Sequence, residues 1–419
     1  MQEEIRKKYD EKLQRITTTI SLREPDRVPI NVGGNIFAVT EAGYTVAECI
    51  YDTTLEKAKD AVKQYLLKYD PDFLQMPVGY AGEGPVMELL KPTFMLWAGM
   101  PGNRIPENSI QQFVEFPILL DEEFEEFFSD RTGWILRHSM PKISEALKPL
   151  QNMSFPLSHR GLRQICREFS KPEVKEMIQT LWKADEMYKE HGKRMREVVR
   201  ELSELGYPDM NGGKAAVPFD EYSDTLRGTL LSLTDLIEYP QYVERFIEEL
   251  LPETLEEIKN MNKDGKKTGK FVNMTLHKGM DGFMSNEQYE KYYWRHLQQI
   301  ICAIVDVGMV PYVFCEGKYS TRLDFLKDVP KGKVVYAFED TPMELAKKKL
   351  GDVACITGGF PNVLLDFGKK QDVIDAVKRM IDDCAPGGGF IFRTKATLIN
   401  AKRENVEAMF ETIKDYGRY

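Results

Sequence analysis

Short apolar, β-branched runs alternate with amphipathic stretches along the second half of the chain. Lys270–Leu276 is strand-like and ends at His277, and Pro311–Cys315 is strand-like and ends at Glu316 and Gly317. Val334–Phe338 stops at Glu339, Val353–Ile356 stops at Thr357, and Gly389–Arg393 is the last run of this kind. Pro311 starts its strand, because proline cannot donate within a ladder. The near-continuous apolar character of these runs is that of strands covered on both faces. Helical patterns lie between them. Ser285-Asn286-Glu287-Gln288 is a capping box that opens a helix to about Val307. Helical stretches follow at Thr321–Leu326, after Thr341-Pro342-Met343-Glu344, at Asp372–Asp383 and from Arg403 to Tyr416. Repeated β/α order predicts parallel strands joined by helical crossovers. A (β/α)8 barrel of TIM type is the leading fold. An open doubly wound sheet is the alternative, but no G-x-G-x-x-G follows any strand.

The first half is less regular. Residues 3–19 alternate in charge and predict a helix. Val28–Val32 is a first strand with Gly33-Gly34-Asn35 at its exit. Thr53–Tyr69 predicts a helix capped by Thr53 or Thr54, and Asp72–Met76 a second strand. Residues 78–213 form an irregular and helical decoration, with helices at 121–129, 141–150 and 171–205, suited to a lid or a dimer surface. Val217-Pro218-Phe219 is strand-like, and Asp235 to about Met261 is helical. With no repeat and no low-complexity linker, residues 1–419 read as one decorated domain.

Composition narrows the function classes. The 419 residues carry a net charge of −9, which argues against nucleic acid as the main partner. No apolar run approaches the roughly 20 residues that span a bilayer, and the charged N-terminus lacks a signal-peptide core. A cytoplasmic protein is the expectation. The six cysteines are scattered without a CxxC pair, as reduced thiols are.

In a barrel, strand exits converge on one face, so Asn35, His277, Cys315, Glu316, Glu339 and Cys355 with Thr357 become one candidate constellation. Taken singly, each has a plain structural explanation. The two cysteines suit core packing, the glutamates a solvated rim, and His277 a satisfied donor at a strand end. Zinc accepts all of these ligand types, which makes His277, Cys315, Glu316 and Glu339 the metal candidates. Metal-free acid/base chemistry by Glu316 and His277 is the alternative. Asn35, Tyr319 and Arg227 are the substrate-binding candidates, with Arg23 and Arg27 as further anion clamps. The glycines of Asp383–Gly389 precede a strand, so they suit a tight turn better than a phosphate loop. Lys347–Lys349 suit a solvated helix face. The Tyr289, Tyr292, Tyr293 and Trp294 set suits a core or an interface.

Several segments resemble the uroporphyrinogen decarboxylase superfamily: Val353–Pro361, Leu364-Leu365 with Gly368, Val373, Ala385–Phe392 and Glu404–Met409, joined by Arg27-Val28-Pro29-Ile30 and Leu226-Arg227-Gly228. The resemblance is strongest over residues 270–417. It implies a (β/α)8 barrel with the site at the strand C-terminal ends, and one of two activities. Cofactor-free decarboxylation of a tetrapyrrole uses a basic stretch after the first strand; Asn31-Val32-Gly33-Gly34-Asn35 stands there instead. Methyl transfer to a corrinoid held by a partner protein uses zinc bound by a His-x-Cys pair and a late cysteine. Cys315 matches the pair's cysteine, while Val313 and Lys395-Ala396 leave the other two positions empty. The resemblance therefore implies a corrinoid-dependent methyltransferase acting on a small O-, N- or S-methyl compound, with Glu316 and Glu339 as catalytic acids and His277 as orienter or ligand. The alternatives are a decarboxylase of a smaller acid and a non-catalytic binding barrel.

Overall fold

The computed structural model describes residues 3–102 and 104–419. Two short strands, β1 (Met95–Leu96) and β2 (Gln112–Phe113), pair antiparallel as a surface hairpin. Six more form a single parallel sheet in sequence order: β3 (Asn211–Lys214), β4 (Phe271–Leu276), β5 (Val310–Cys315), β6 (Val335–Phe338), β7 (Cys355–Gly358) and β8 (Phe390–Ile391). Two extended segments close this sheet on itself. Asn31 N–H donates to Phe392 O (2.8 Å) and Phe392 N–H to Pro29 O (2.9 Å), which seats 28–32 beside β8. Asp72 N–H donates to Ile30 O (2.9 Å) and Leu74 N–H to Pro208 O (3.0 Å), which seats 72–75 between the first segment and the lead into β3. The eight staves form a closed (β/α)8 barrel.

Alternate strand residues face opposite sides. Phe271, Tyr312, Val335, Ala337, Cys355 and Ile391 pack into the barrel interior, and Ile16 and Ile20 of the first helix (Glu3–Ile20) plug its lower end. Val272, Met274, Val313, Cys315, Phe338 and Ile356 face outward into the larger core beneath the helices. The long helix Pro172–Ser203 packs by Val198 and Leu202 into a separate cluster with Ala58 and Leu66.

The expected elements appear with instructive exceptions. The 208–214 stretch, placed with the decoration by sequence, supplies a barrel stave. Val217-Pro218-Phe219 is a helix start, because Pro218 occupies the first turn of Pro218–Tyr222, where its missing N–H has no cost. The box at Ser285 forms, with Gln288 N–H donating to Ser285 Oγ (3.1 Å) and Ser285 N–H to Gln288 Oε1 (3.0 Å). Thr341 does not cap its helix, since its hydroxyl accepts instead from the Tyr319 N–H (2.8 Å). Thr53 and Thr54 do not cap theirs either: Asp52 takes the Lys57 N–H (2.9 Å) ahead of Glu56–Tyr69. Thr321–Leu326 is a series of turns, tied down where Arg322 donates to Met284 O (2.5 Å). Lys347 is half-buried, and its ammonium donates to Gly388 O (2.5 Å).

Asp72 is fully buried at the lower seam. It accepts from Arg15 (2.6 Å), Arg27 (2.8 and 3.0 Å) and the Ile30 N–H (2.7 Å). Breaking such a cluster strands buried charges, so Asp72→Ala should destabilise by about 3–5 kcal/mol. A lowered urea midpoint is the expected reading; an unchanged midpoint would show that the seam does not depend on it.

Candidate functional site

The parallel register decides which residues meet at the barrel mouth. Thr275, Phe314, Ala337, Thr357 and Ile391 lie side by side, all facing inward. Two residues further along each strand come His277, Glu316, Glu339, Gly359 and Arg393, the next inward layer. A bridge between Phe360 and Thr394 keeps β7 and β8 in the same register at this height.

His277 stands at the end of β4 with its ring flanked on both sides. Nδ1 is hydrogen-bonded to Asp224 Oδ2, and Nε2 lies 3.3 Å from Glu316 Oε2. Asp224 comes from the π-helical turn Ser223–Arg227 and also binds Lys278 Nζ at 2.9 Å. Beneath them, buried Asp220 receives the Lys278 N–H (2.9 Å), the His277 N–H (3.3 Å) and the Tyr293 hydroxyl. Burial pushes the Asp220 carboxyl up to about 7, against the pull of the Tyr293 hydrogen bond. Burial works on Asp224 in the same direction, but the bonds from His277 and Lys278 outweigh it and hold that carboxyl below its usual range. The Asp224 hydrogen bond raises His277 above the ordinary imidazole value; burial opposes this, and the Asp220 and Glu316 charges add to it. The ring is thus biased toward its protonated form, with one N–H fixed and the other aimed at Glu316.

Glu339 has a different task. Its Oε2 accepts the Gly317 N–H at 2.7 Å, in a turn where Gly317 has φ +76°, a conformation that favours glycine. Glu339 is thereby a brace for the β5 exit as well as a mouth carboxylate.

The remaining candidates fall away from the mouth. Cys315 is fully buried on the outer face, and burial pushes its thiol well up, so it is a core residue. Tyr319 is fully buried behind β4, its hydroxyl donating to Leu276 O (3.1 Å), which removes it from substrate contact. Arg227 is 1 % exposed and held by Asp235 (2.7 Å), Asp121 (2.6 Å) and Leu119 O (2.7 Å). It is a structural ion pair, not a clamp. Arg27 is committed to Asp72 in the same way, and Arg23 is exposed beside the 387–389 turn at the lower end. Asn35 follows the exit of the first stave but is taken up by the helix that starts there. It opens the helix Asn35–Glu41 with φ +46° and accepts weakly from the Leu398 N–H (3.5 Å).

A catalytic zinc takes three protein ligands. His277 and Glu316 approach each other, Glu339 is turned to Gly317, and Cys315 faces away. Among the described residues no group of three His, Cys, Asp or Glu side chains is poised to hold a metal ion. The four candidates named from the sequence do not converge on one point.

Sequence reasoning missed Asp220 and Asp224 as site residues. The signal that could have found them is their i, i+4 spacing, which puts both on one helical face. Arg393 and Thr357 at the ends of β8 and β7 complete the inward set.

A barrel with paired carboxylates and an imidazole held between two of them at the C-terminal ends of its strands has the layout of a (β/α)8 enzyme. Residues 164–416, more than half of the chain, match the family model for uroporphyrinogen decarboxylase (URO-D), and the chain belongs to that family. A search of curated proteins finds no match. Among solved structures, a methyltransferase from Methanosarcina mazei superposes with a TM-score of 0.58 and 12% identity, over 96% of this chain and 98% of that one. A B12-independent methionine synthase from Shewanella sp. W3-18-1, in complex with selenomethionine, aligns at TM-score 0.33 and 12% identity, over 52% of this chain and 65% of that one. Among the described residues, no helix is long and apolar enough to cross a membrane.

Replacing Asp224 by Asn removes the main support of the His277 charge. The His277 titration midpoint, followed by NMR, should fall in Asp224→Asn. Because the folded value is raised, the stabilisation from this pair is complete below the unfolded value of roughly 6.5 and disappears as pH rises through the folded one. Wild type should therefore lose thermal stability across that alkaline window, and Asp224→Asn should show a flatter profile. Equal midpoints in the two proteins would refute the coupling. The outward placement of Cys315 is checked separately: a thiol reagent should label exposed Cys166 in the native protein and reach Cys315 only on unfolding.

Proposed function

We propose that the protein is a methyltransferase that moves a methyl group from a small O-, N- or S-methyl compound to a corrinoid carried by a partner protein. The observation that carries this reading is the Asp224–His277–Glu316 chain at the barrel mouth. Demethylating an ether or amine needs a proton at the leaving heteroatom, because an alkoxide or amide leaves poorly. A protonated imidazole beside a carboxylate supplies one. Asp224 accepts the Nδ1 proton and fixes the ring, so that the Nε2 proton points to Glu316 at the barrel mouth. The proton passes to the heteroatom, directly or through Glu316. The heteroatom–carbon bond breaks with its electron pair left on the heteroatom, and the acceptor's electron pair forms the new bond to carbon. The demethylated alcohol, amine or thiol leaves neutral. Two further observations support the reading. The Methanosarcina neighbour is a methyltransferase, and the basic stretch after the first stave is missing, with Asn31-Val32-Gly33-Gly34-Asn35 in its place.

General acid catalysis of this kind contributes about 10²–10⁴-fold. His277→Gln and Glu316→Gln should each lower kcat for methyl transfer to cob(I)alamin within that range, followed by the absorbance change of the corrinoid. Chelator treatment should leave the wild-type rate unchanged. Release of carbon dioxide from a carboxylic acid substrate, with no methyl transfer, would instead identify a decarboxylase.

A further inference from the structure

One cation in the barrel mouth is not engaged in an ion pair among the described residues. Arg393 faces inward, one layer above Ile391, and its guanidinium lies over the Phe314 ring with Cζ 4.9 Å from the centroid. Among the described residues it forms no ion pair and no side-chain hydrogen bond, and its Nη1 is buried without a partner. The other enclosed arginines differ. Arg15 and Arg27 hold Asp72, Arg227 holds Asp235, and Arg322 is bonded to Asn286 and to the Gly279 and Met284 carbonyls. An uncompensated buried charge is costly and is ordinarily paired. Glu316 and Glu339 share its layer, but neither forms an ion pair with it; Glu316 lies against His277 and Glu339 accepts from the Gly317 N–H. The groups on the 28–32 side of Arg393 are neutral. Asn31 is its neighbour across the 28–32 seam and donates to the Tyr312 hydroxyl (3.3 Å), and Gln75 donates to Asn31 Oδ1. Thr357, fully buried on the neighbouring strand, has a hydroxyl without a partner.

We infer that Arg393 is the anchor for a carboxylate on the substrate, bound in the mouth at the level of Glu316 with the Thr357 hydroxyl as a neutral donor. A guanidinium presents a planar fork that matches a carboxylate bidentately. One negative charge suits the site better than two. Lys395, the next cation along the strand exit, is paired with Asp340 at 2.7 Å, and Glu316 and Glu339 in the same layer repel a dianion. The Phe314 ring orients the guanidinium and supplies a flat apolar wall. The inference rests on the proposed function only in taking the mouth as the substrate site. It narrows the methyl donor to one bearing a carboxylate.

The test is calorimetric titration of the full chain without corrinoid. The probes are 4-methoxybenzoate and methoxyacetate, with 4-methoxybenzyl alcohol and 2-methoxyethanol as their neutral counterparts. The expected result is that one of the anions binds at least tenfold more tightly than its neutral counterpart. Arg393→Gln should weaken that binding at least tenfold, and Arg393→Lys should restore part of it. Unliganded Arg393→Gln should unfold within a few degrees of wild type, because it loses the stacking on Phe314 but no ion pair or hydrogen bond. The inference is overturned if neither anion binds wild type, if neutral and anionic probes bind alike, or if Arg393→Gln binds undiminished. Arg393-dependent binding without methyl transfer would defeat the proposed function alone. Methyl transfer from uncharged donors that is indifferent to Arg393→Gln would defeat this inference alone.

Discussion

The period of two along a parallel strand governs every residue that reaches the barrel mouth. A displacement of one position would exchange Glu316 for Cys315 and Arg393 for Phe392 or Thr394. That displacement is blocked because both faces of the strands are packed. Phe314 and Tyr312 fill the interior, while Val313 and Cys315 fill the space under the helices. The register between strands then stacks the inward residues into layers, so His277, Glu316, Glu339 and Arg393 share a level though they come from four strands. The chemistry of the mouth is thus a consequence of packing well below it.

On that scaffold the electrostatics are arranged in depth. Asp220 is the deepest carboxylate and is held by two backbone N–H groups and the Tyr293 hydroxyl. It fixes the chain immediately after β4, where His277 must turn its ring. Asp224, one helical turn on, is nearer solvent and takes the imidazole and the Lys278 ammonium. The two aspartates sit in different surroundings, and their carboxyls are pushed in opposite directions. Separation of this kind between neighbouring titratable groups is what acid/base sites require.

Much of the fold was legible in the residues. The five strand-like runs from Phe271 onward, the Ser285 box and the late helices announce β/α repeats, and all form except the helix expected at Thr321–Leu326. The first two staves were legible as apolar runs, but their pairing rests on a few backbone bonds that no pattern reveals. Val217-Pro218-Phe219 looked like a strand because its residues are apolar; proline at a first helical turn is equally consistent with that composition. At the site, sequence identified His277, Glu316 and Glu339 by position after a strand. It could not say which way Cys315 faced, because a strand buried on both sides carries no polar alternation to set the phase. Arg227 and Tyr319 had the right chemistry and the wrong surroundings: their partners, Asp235, Asp121 and the Leu276 carbonyl, are brought to them only by tertiary folding. Arg393 escaped notice because it was counted as the last residue of its strand, and its significance lies in a missing partner.

The two ends of the barrel make the same residue types behave differently. At the lower end Arg15 and Arg27 converge on Asp72, and every charge that is buried there is answered by another. The barrel interior at that end is closed by Ile16 and Ile20. At the upper end His277 is answered on one side by Asp224 and faces Glu316 on the other, while Arg393 is not answered at all. Stability favours the arrangement at the lower end, since an unpaired charge that is partly withdrawn from water opposes folding. A protein that keeps such a charge in its mouth, with the means of neutralising charge used freely elsewhere in the same barrel, carries an interaction left to be completed by whatever enters.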